Sequence, residues 1–324
     1  MEPRRVRVRA LAKINLDLRV LGLRPDGYHD LRSVFQTISL ADNLDVEFTP
    51  ARKTEVAVFC TAEIAGPNIV ERAALLALDT MKVRGRVRIR LEKQIPMGAG
   101  LGGGSSDAAA VLLAVSALAG KSGRLEKLIP AAACLGSDVP FFLLGGTAVA
   151  LDRGTELYPL PDRRPEWGLV IAPGIHVSTA EAYRDLDTER ARARNAAGNL
   201  TSGARQNIIS SFQSVVWEQG GESCNDFETV VFAKHPRLRY LKQKLTRQGA
   251  RKAMLSGSGS ALFGIFGSRE DAARARLAFD EEVFLIRLVT RPAFRARWRR
   301  GLGAHAAERV WPPHSRHERW TRNG

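Results

Sequence analysis

One stretch limits what this chain can fold into more than any other: Ile95-Pro96-Met97-Gly98-Ala99-Gly100-Leu101-Gly102-Gly103-Gly104-Ser105-Ser106-Asp107, running directly into the apolar segment Ala108 to Ala119. Glycine loses the most backbone freedom on folding, so a run this dense is costly for a plain turn. What it provides is a path cleared of side chains, along which peptide N–H groups can approach a ligand. Ser105 or Ser106 offers an N-cap, and Ala108–Ala119 is strongly helix-forming up to Gly120. The stretch therefore reads as a glycine loop opening a helix, whose free N–H groups and positive dipole end favour an anion. The plainer alternative is a tight strand-to-helix turn with no ligand.

Two common phosphate motifs do not account for it. A Walker loop needs Lys directly before Ser or Thr at the helix start, and Gly104 stands there. A dinucleotide fingerprint is matched literally by Gly98 to Gly103, but the first acidic residue after Asp107 and the helix is Glu126, too far on to be the ribose-binding one about 20 residues downstream. The preceding strand, Arg86 to Leu91, alternates basic and apolar residues, whereas a doubly wound core strand is apolar on both faces.

Elsewhere the chain alternates or periodically repeats as an α+β protein should. Residues 4–20 place Val6, Val8, Ala10, Ala12, Ile14, Leu16, Leu18 and Val20 on one face of a strand. The other face carries Lys13, Asn15, Asp17 and Arg19; it is an ordinary solvated face unless something covers it. A turn-forming loop, Gly22 to Asp30, ends in Tyr28-His29, able to stack on and hydrogen-bond to a flat ring or to pack idly at an edge. Asn68 caps an amphipathic helix running to Leu78. Asp138, before Val139-Pro140, is equally readable as a helix cap and as a catalytic carboxylate. Pro159, Pro161 and Pro165 punctuate a polar connection, placing a domain boundary near residue 162. Beyond it come a strand at 168–172, a helix from Ser178 or Thr179 carrying Tyr183, a charged then Gly/Ser/Asn-rich connection over 188–222 expected to be mobile or inserted, and a Ser256–Ser260 turn before another strand. Asp271–Glu282 reads as helix and Phe284–Val289 as a closing strand. From about Ala296 no clear period remains, so a basic, loosely ordered tail is expected.

Composition narrows the classes. No apolar run approaches a membrane span, and the basic N-terminus is unlike a signal peptide, so a cytoplasmic protein is expected. Cys60, Cys134 and Cys224 suit neither a disulfide framework nor a local zinc pattern. The formal net charge is +15, yet from Arg291 onward nine arginines face only Glu308 and Glu318, so the tail holds nearly half the excess. The remainder suits a protein that handles phosphates. A nucleic-acid binder would need aromatics spread through a basic surface.

Taken together, Ala12-Lys13-Ile14-Asn15-Leu16, Pro25-Asp26-Gly27-Tyr28-His29-Asp30-Leu31, the glycine loop, Gly136-Ser137-Asp138-Val139-Pro140-Phe141-Phe142, Asn225-Asp226-Phe227-Glu228 and Ser256-Gly257-Ser258-Gly259-Ser260 closely resemble the GHMP small-molecule kinases. Within them the blocks are most similar to the branch acting on cytidine diphosphate-linked methylerythritol in non-mevalonate isoprenoid synthesis. The match runs in order over residues 5–290. It implies an α+β fold: an N-terminal ATP-binding domain, residues 1–162, like domain 2 of ribosomal protein S5, and a ferredoxin-like C-terminal domain, 163–295; the tail, 296–324, falls outside it. It implies transfer of the γ-phosphoryl of ATP to the 2-hydroxyl of the substrate with a divalent cation, usually magnesium.

Carried over by motif, Lys13 and Asp138 would be the catalytic pair. Pro96, Met97, Gly98, Ala99, Gly100, Leu101, Gly102, Gly103, Gly104, Ser105 and Ser106 would bind the ATP phosphates, with Asn68 and Lys93 by the nucleotide. Tyr28 and Tyr183 would sandwich the cytosine, His29 would meet its polar edge, Asn15 would lie near the erythritol end, and Ser106 would be a metal ligand by analogy with sister kinases. A small-molecule substrate, no nucleic-acid or membrane partner, and a monomer or homodimer follow. The chain departs from the family pattern at Asp152, where glycine is more usual, in a longer 188–222 region, and in the basic tail. A kinase of the same superfamily acting on homoserine, mevalonate or a sugar is the nearest rival; the aromatic positions speak against it, because those acceptors have no ring to stack.

Overall fold

The computed structural model describes residues 2–63, 66, 68–120, 125–197 and 223–306. In chain order the elements are β1 (Arg4–Leu23), β2 (His29–Pro50), β3 (Glu55–Cys60), α1 (Ile69–Thr80), β4 (Gly85–Glu92), α2 (Gly103–Leu118), α3 (Leu125–Leu135), α4 (Val139–Leu144), β5 (Thr147–Leu151) and β6 (Glu156–Pro159). They continue as β7 (Trp167–Ala172), α5 (Thr179–Ala197), α6 (Phe227–Lys234), α7 (Pro236–Arg247), β8 (Lys252–Leu255), β9 (Leu262–Phe266), α8 (Arg269–Arg276), β10 (Glu282–Arg287) and α9 (Arg291–Leu302). No described helix is long and apolar enough to cross a membrane.

Two sheets organise the chain. In the first, β1 and β2 pair antiparallel over nearly their whole length, and the free edge of β2 is shared. Its second half pairs with β4 from Asn43 to Pro50, and its first half with β5 from Ser33 to Gln36. The second sheet has the order β10-β7-β9-β8, all antiparallel. Numbering those strands by sequence gives 4-1-3-2 with helices after the first and third, the split βαββαβ arrangement of ferredoxin-like domains. Both expectations of fold class, α+β and two-domain, hold.

Helix α2 is the axis of the first core. Thirteen of its residues, from Ser106 to Leu118, are buried, so its apolar character runs all round. It packs with α1, α4 and the inner face of the sheet. The second core lies between the ferredoxin-like sheet and α5 to α8, with Phe227, Leu238, Leu241 and Phe266 at its centre.

The cut near residue 162 does not partition the packing. Leu18 and Val20 of β1 reach into the second core, while Val289, Phe294, Trp298 and Leu302 return to the first. That return corrects the reading of the tail: residues 296–302 continue α9 instead of beginning a loose segment, and 307–324 lie outside the described residues. Thr290 caps the helix, its hydroxyl accepting from the Ala293 N–H at 3.3 Å, and Gly301 lies so close to β1 that a Cβ there would sit 2.7 Å from the Arg7 carbonyl oxygen. Trp298→Ala, which empties a side chain 3% exposed, is expected to cost about 3–5 kcal/mol of unfolding free energy. Denaturant titration checks this; a loosely attached tail would show no change.

Two further boundaries differ from expectation. Residues 188–197 extend α5, and 198–222 lie outside the described residues. Helix α8 ends at Arg276, and β10 already begins at Glu282.

Candidate functional site

The unused face of β1 is covered. Every residue from Ala10 to Leu18 is buried, Lys13 at 4% exposure and Asn15 at 1%, because the Ser256–Ser260 turn and Asn225 of the second domain close over it. Asn225 anchors that turn, its Nδ2 donating to the carbonyls of Leu255 at 3.0 Å and Gly257 at 2.7 Å. A buried lysine must be paired. Lys13 Nζ donates to Asn15 Oδ1 at 2.7 Å and lies 3.4 Å from Asp138 Oδ2. Asn15 is fixed in turn: its Nδ2 donates to Ser33 Oγ at 2.8 Å, and that hydroxyl donates to the Asp17 carbonyl at 2.6 Å. Register shifts on either side, at Leu11/Lys13 and Asn15/Asp17, are what bend β1 and aim these side chains.

Asp138 occupies the N-cap position of α4 but makes no capping hydrogen bond with its side chain. Of its two readings, cap and reactive carboxylate, the structure removes the first. Its carboxylate, 31% exposed, faces Lys13 and the space between the domains. Across that space stands Tyr183 of α5, whose phenol is pushed up to about 12, by burial first and then by the negative charge of Asp138.

The glycine loop adjoins this pair. The Lys13 N–H donates to the Leu101 carbonyl at 3.0 Å, and a Cβ on Gly102 would fall 3.2 Å from Lys13 Cγ and 2.7 Å from the Phe142 ring. Gly98, Gly100 and Gly102 all have positive φ, 66°, 78° and 71°, a conformation that side chains penalise. Gly102, not Ser105 or Ser106, is the N-cap of α2, and the helix starts at Gly103. A left-handed residue turns the chain into the helix here, and no side-chain cap is used. The loop's other flank touches the second domain: Ser256 Oγ donates to the Gly100 carbonyl at 3.0 Å and the Ala261 N–H to Ala99 at 3.1 Å. The Ser256–Ser260 turn thus braces the glycine loop.

A hollow of about 450 Å³ is lined by Pro96 to Ser105 together with Asn68, Ile69, Leu91, Lys93 and Asp107. Asn68 and Lys93 both line this hollow beside the loop; Asn68 also caps α1, accepting from the Val70 N–H at 3.0 Å. Ser106 is different. Its side chain is buried, its hydroxyl donates to the Leu11 carbonyl at 2.7 Å, and it is not among the residues lining the hollow, where the resemblance would have it as a metal ligand. Ser105 lines the hollow in its place.

Asp42 and Asp107 were not singled out by sequence. Lys93 Nζ bonds both, at 2.5 and 2.8 Å, and Asp42 Oδ1 also accepts from the N–H groups of Gln94 and Ile95. Two buried carboxylates share one ammonium. Asp107, whose Oδ1 has no partner among the described residues, is pushed up to about 8 by burial, against the attraction of Lys93 and with the repulsion of Asp42. Lys93 itself is raised: burial opposes its charge but the Asp107 and Asp42 carboxylates outweigh it. Between the ordinary carboxylate range and about pH 8 the folded chain binds a proton that the unfolded chain has released, so stability falls as pH rises through that window. Asp107→Asn removes this dependence. Denaturant titrations at pH 6 and pH 9 are expected to show the wild type losing stability relative to the variant; parallel curves would refute the raised pKa of Asp107.

At the other end, the proposed aromatic slot is drawn differently from the expectation. His29 stacks on Tyr183, centroids 4.6 Å apart and 20° between planes, and its Nε2 is 2.9 Å from Asp187 Oδ2. Tyr28 is 57% exposed and has the Arg153 guanidinium 4.6 Å from its ring centroid. All three rings stand at the same mouth, but the structure shows His29, and not an open gap, against Tyr183. A wider depression of about 710 Å³ between α6 and α7 includes none of these residues.

The model of the GHMP kinases N terminal domain matches residues 68–146, and that of the GHMP kinases C terminal domain matches 217–284. The 4-diphosphocytidyl-2-C-methyl-D-erythritol kinase of Solibacter usitatus is 55% identical over 317 residues, 97% of this chain and 98% of that protein. The chain belongs to this family of GHMP kinases. The family member of the same name from a Geobacillus strain is 35% identical over 88% of this chain and 97% of its own length. A crystal structure of a 4-(cytidine 5′-diphospho)-2C-methyl-D-erythritol kinase superposes with a TM-score of 0.71 at 36% identity, covering 87% of this chain and 98% of that one. The homoserine kinase of Cytophaga hutchinsonii, at 16% identity and a TM-score of 0.62, shares the fold and no more.

Proposed function

We propose that this chain transfers the γ-phosphoryl group of ATP to the 2-hydroxyl of 4-(cytidine 5′-diphospho)-2-C-methyl-D-erythritol. The observation that carries the reading is the junction of Lys13, Asp138 and the glycine loop, held together by the Lys13–Leu101 backbone bond and the Lys13–Asp138 pair. Relatives of that name, matched along nearly the whole chain, supply the acceptor.

Phosphoryl transfer asks a protein chiefly for position and charge stabilisation. Peptide N–H groups of the loop and the start of α2 receive the phosphates, and Lys13, held by Asn15, faces the charge that develops on the transferred group. Asp138 accepts a hydrogen bond from the attacking hydroxyl and turns its lone pair in line. A carboxylate paired with an ammonium is a weak base, but in a loose transition state the proton leaves late, so orientation dominates. The hollow beside Asn68, Ile69 and Leu91 suits the adenosine, and Tyr28, His29 and Tyr183 the cytosine.

Among the described residues no three His, Cys, Asp or Glu side chains gather as a metal site. The donors at hand fit a magnesium ion held mainly by phosphate oxygens and water, to which the Asp138 carboxylate and the Ser105 hydroxyl would add protein oxygens. Such an ion would neutralise phosphate charge. An ATP-consumption assay with the cytidine substrate, homoserine, mevalonate and a hexose tests the acceptor; activity with only the first is expected, and preference for any other would overturn the reading.

A further inference from the structure

Asp152 is the residue to explain. It has φ of 59°, a left-handed conformation that costs a non-glycine residue, at a place where glycine would be free of strain. An aspartate held there has work for its carboxylate. That carboxylate is bonded by Arg24 and by Thr155 Oγ1, the latter at 3.1 Å. Its pKa is held below the usual range, first by the Arg153 backbone N–H and also by the Thr155 hydroxyl and the Arg24 charge.

Arg24 belongs to the loop between β1 and β2. Its N–H donates to the Tyr28 carbonyl at 2.7 Å, closing that loop, and its guanidinium also binds Asp30 at 2.7 Å and Asp26 at 3.3 Å. On the other side the Leu31 N–H donates to the Asp152 carbonyl at 2.8 Å. One ion pair therefore joins the loop that carries Tyr28 and His29 to the β5–β6 turn. The next residue of that turn, Arg153, lies on one face of the Tyr28 ring. A tyrosine 57% exposed on a glycine-containing loop needs such a fixture to keep one orientation.

We infer that the Arg24–Asp152 pair is a positioning device for nucleobase recognition: it ties the Tyr28 loop to the β5–β6 turn and seats Arg153 on the outer face of Tyr28, presenting the ring ready-made to the base. Neither residue touches the substrate or the reacting atoms. The inference rests on the cytidine reading of the same mouth.

The test is steady-state kinetics of the full chain carrying Asp152→Gly, Arg24→Met, or both. Glycine keeps the turn and relieves its strain, so Asp152→Gly should melt no lower than wild type. If the pair positions Tyr28, both single variants raise KM for the cytidine substrate about tenfold, leave kcat and the KM for ATP within about twofold, and the double variant is no worse than Arg24→Met. A purely structural role predicts altered melting with unchanged cytidine KM, and that result would overturn the inference. So would a double variant whose losses multiply. A wild type inactive on the cytidine substrate would instead dismiss the functional reading itself, an outcome visible before any variant is compared.

Discussion

Asp138→Asn is expected to lower turnover by about two orders of magnitude or more, with the fold intact. The asparagine keeps the shape and can still offer an oxygen, but it no longer carries the charge that orders Lys13 and draws the hydroxyl proton. The carboxylate makes no capping bond and is partly exposed, so the helix stays intact, but losing the charge opposite buried Lys13 should cost some stability. Lys13→Met is expected to lower turnover as far, but for a different reason. It leaves Asn15 Oδ1 without its donor in a buried place, so some stability is lost too. Single-turnover measurements on both variants, beside thermal melts, check this. Near-normal turnover in either would remove that residue from the chemistry.

The second large effect concerns backbone space in the loop. At Gly100 a Cβ would meet the backbone carbonyl oxygen of Ser256 at 2.0 Å, on a residue with φ of 78°. Neither partner can give way without moving the loop or the whole braced turn. Gly100→Ala is therefore expected to cut kcat/KM for ATP by about a hundredfold, from left-handed strain plus a displaced phosphate path. Gly98→Ala is the internal control: its φ is 66°, but nothing lies within 4 Å of the added carbon. Strain alone there should cost about tenfold or less. Equal losses at the two positions would show that contact between the loop and the second domain does not hold the phosphate path.

The part of this site that was legible in the sequence is the part built locally. The glycine run announced a loop opening a helix because its backbone requirements and the alanine-rich segment are contiguous. Lys13 and Asn15 were visible as polar residues on an otherwise well-patterned strand, yet their importance depended on a cover supplied by Asn225 and Ser256, over two hundred residues later. The Asp42–Lys93–Asp107 cluster could not be read at all, since it depends on the pairing of β2 with β4 and on the depth of α2. The Arg24–Asp152 link was half visible: the unusual residue could be noticed, but not its partner 128 positions away.

Two misreadings had detectable signals. Phe294, Trp298 and Leu302 recur at four-residue spacing within the arginine-rich tail, a helical stripe hidden by the surrounding charge. At the start of α2 the serines looked like caps by residue type, but three consecutive glycines before them allow a left-handed entry one turn earlier. There the backbone freedom of glycine outweighed the hydrogen bond a serine could offer.

The central claim is that Lys13, Asp138 and the glycine loop together move a phosphoryl group onto one particular hydroxyl. Phosphorus NMR of the reaction of the purified chain with ATP, magnesium and the cytidine-linked methylerythritol tests it most directly. The account predicts ADP and one new phosphomonoester, coupled to the 2-position carbon, with the cytidine diphosphate bridge unchanged. ADP formed without that monoester, or a phosphate appearing on another hydroxyl, would contradict it.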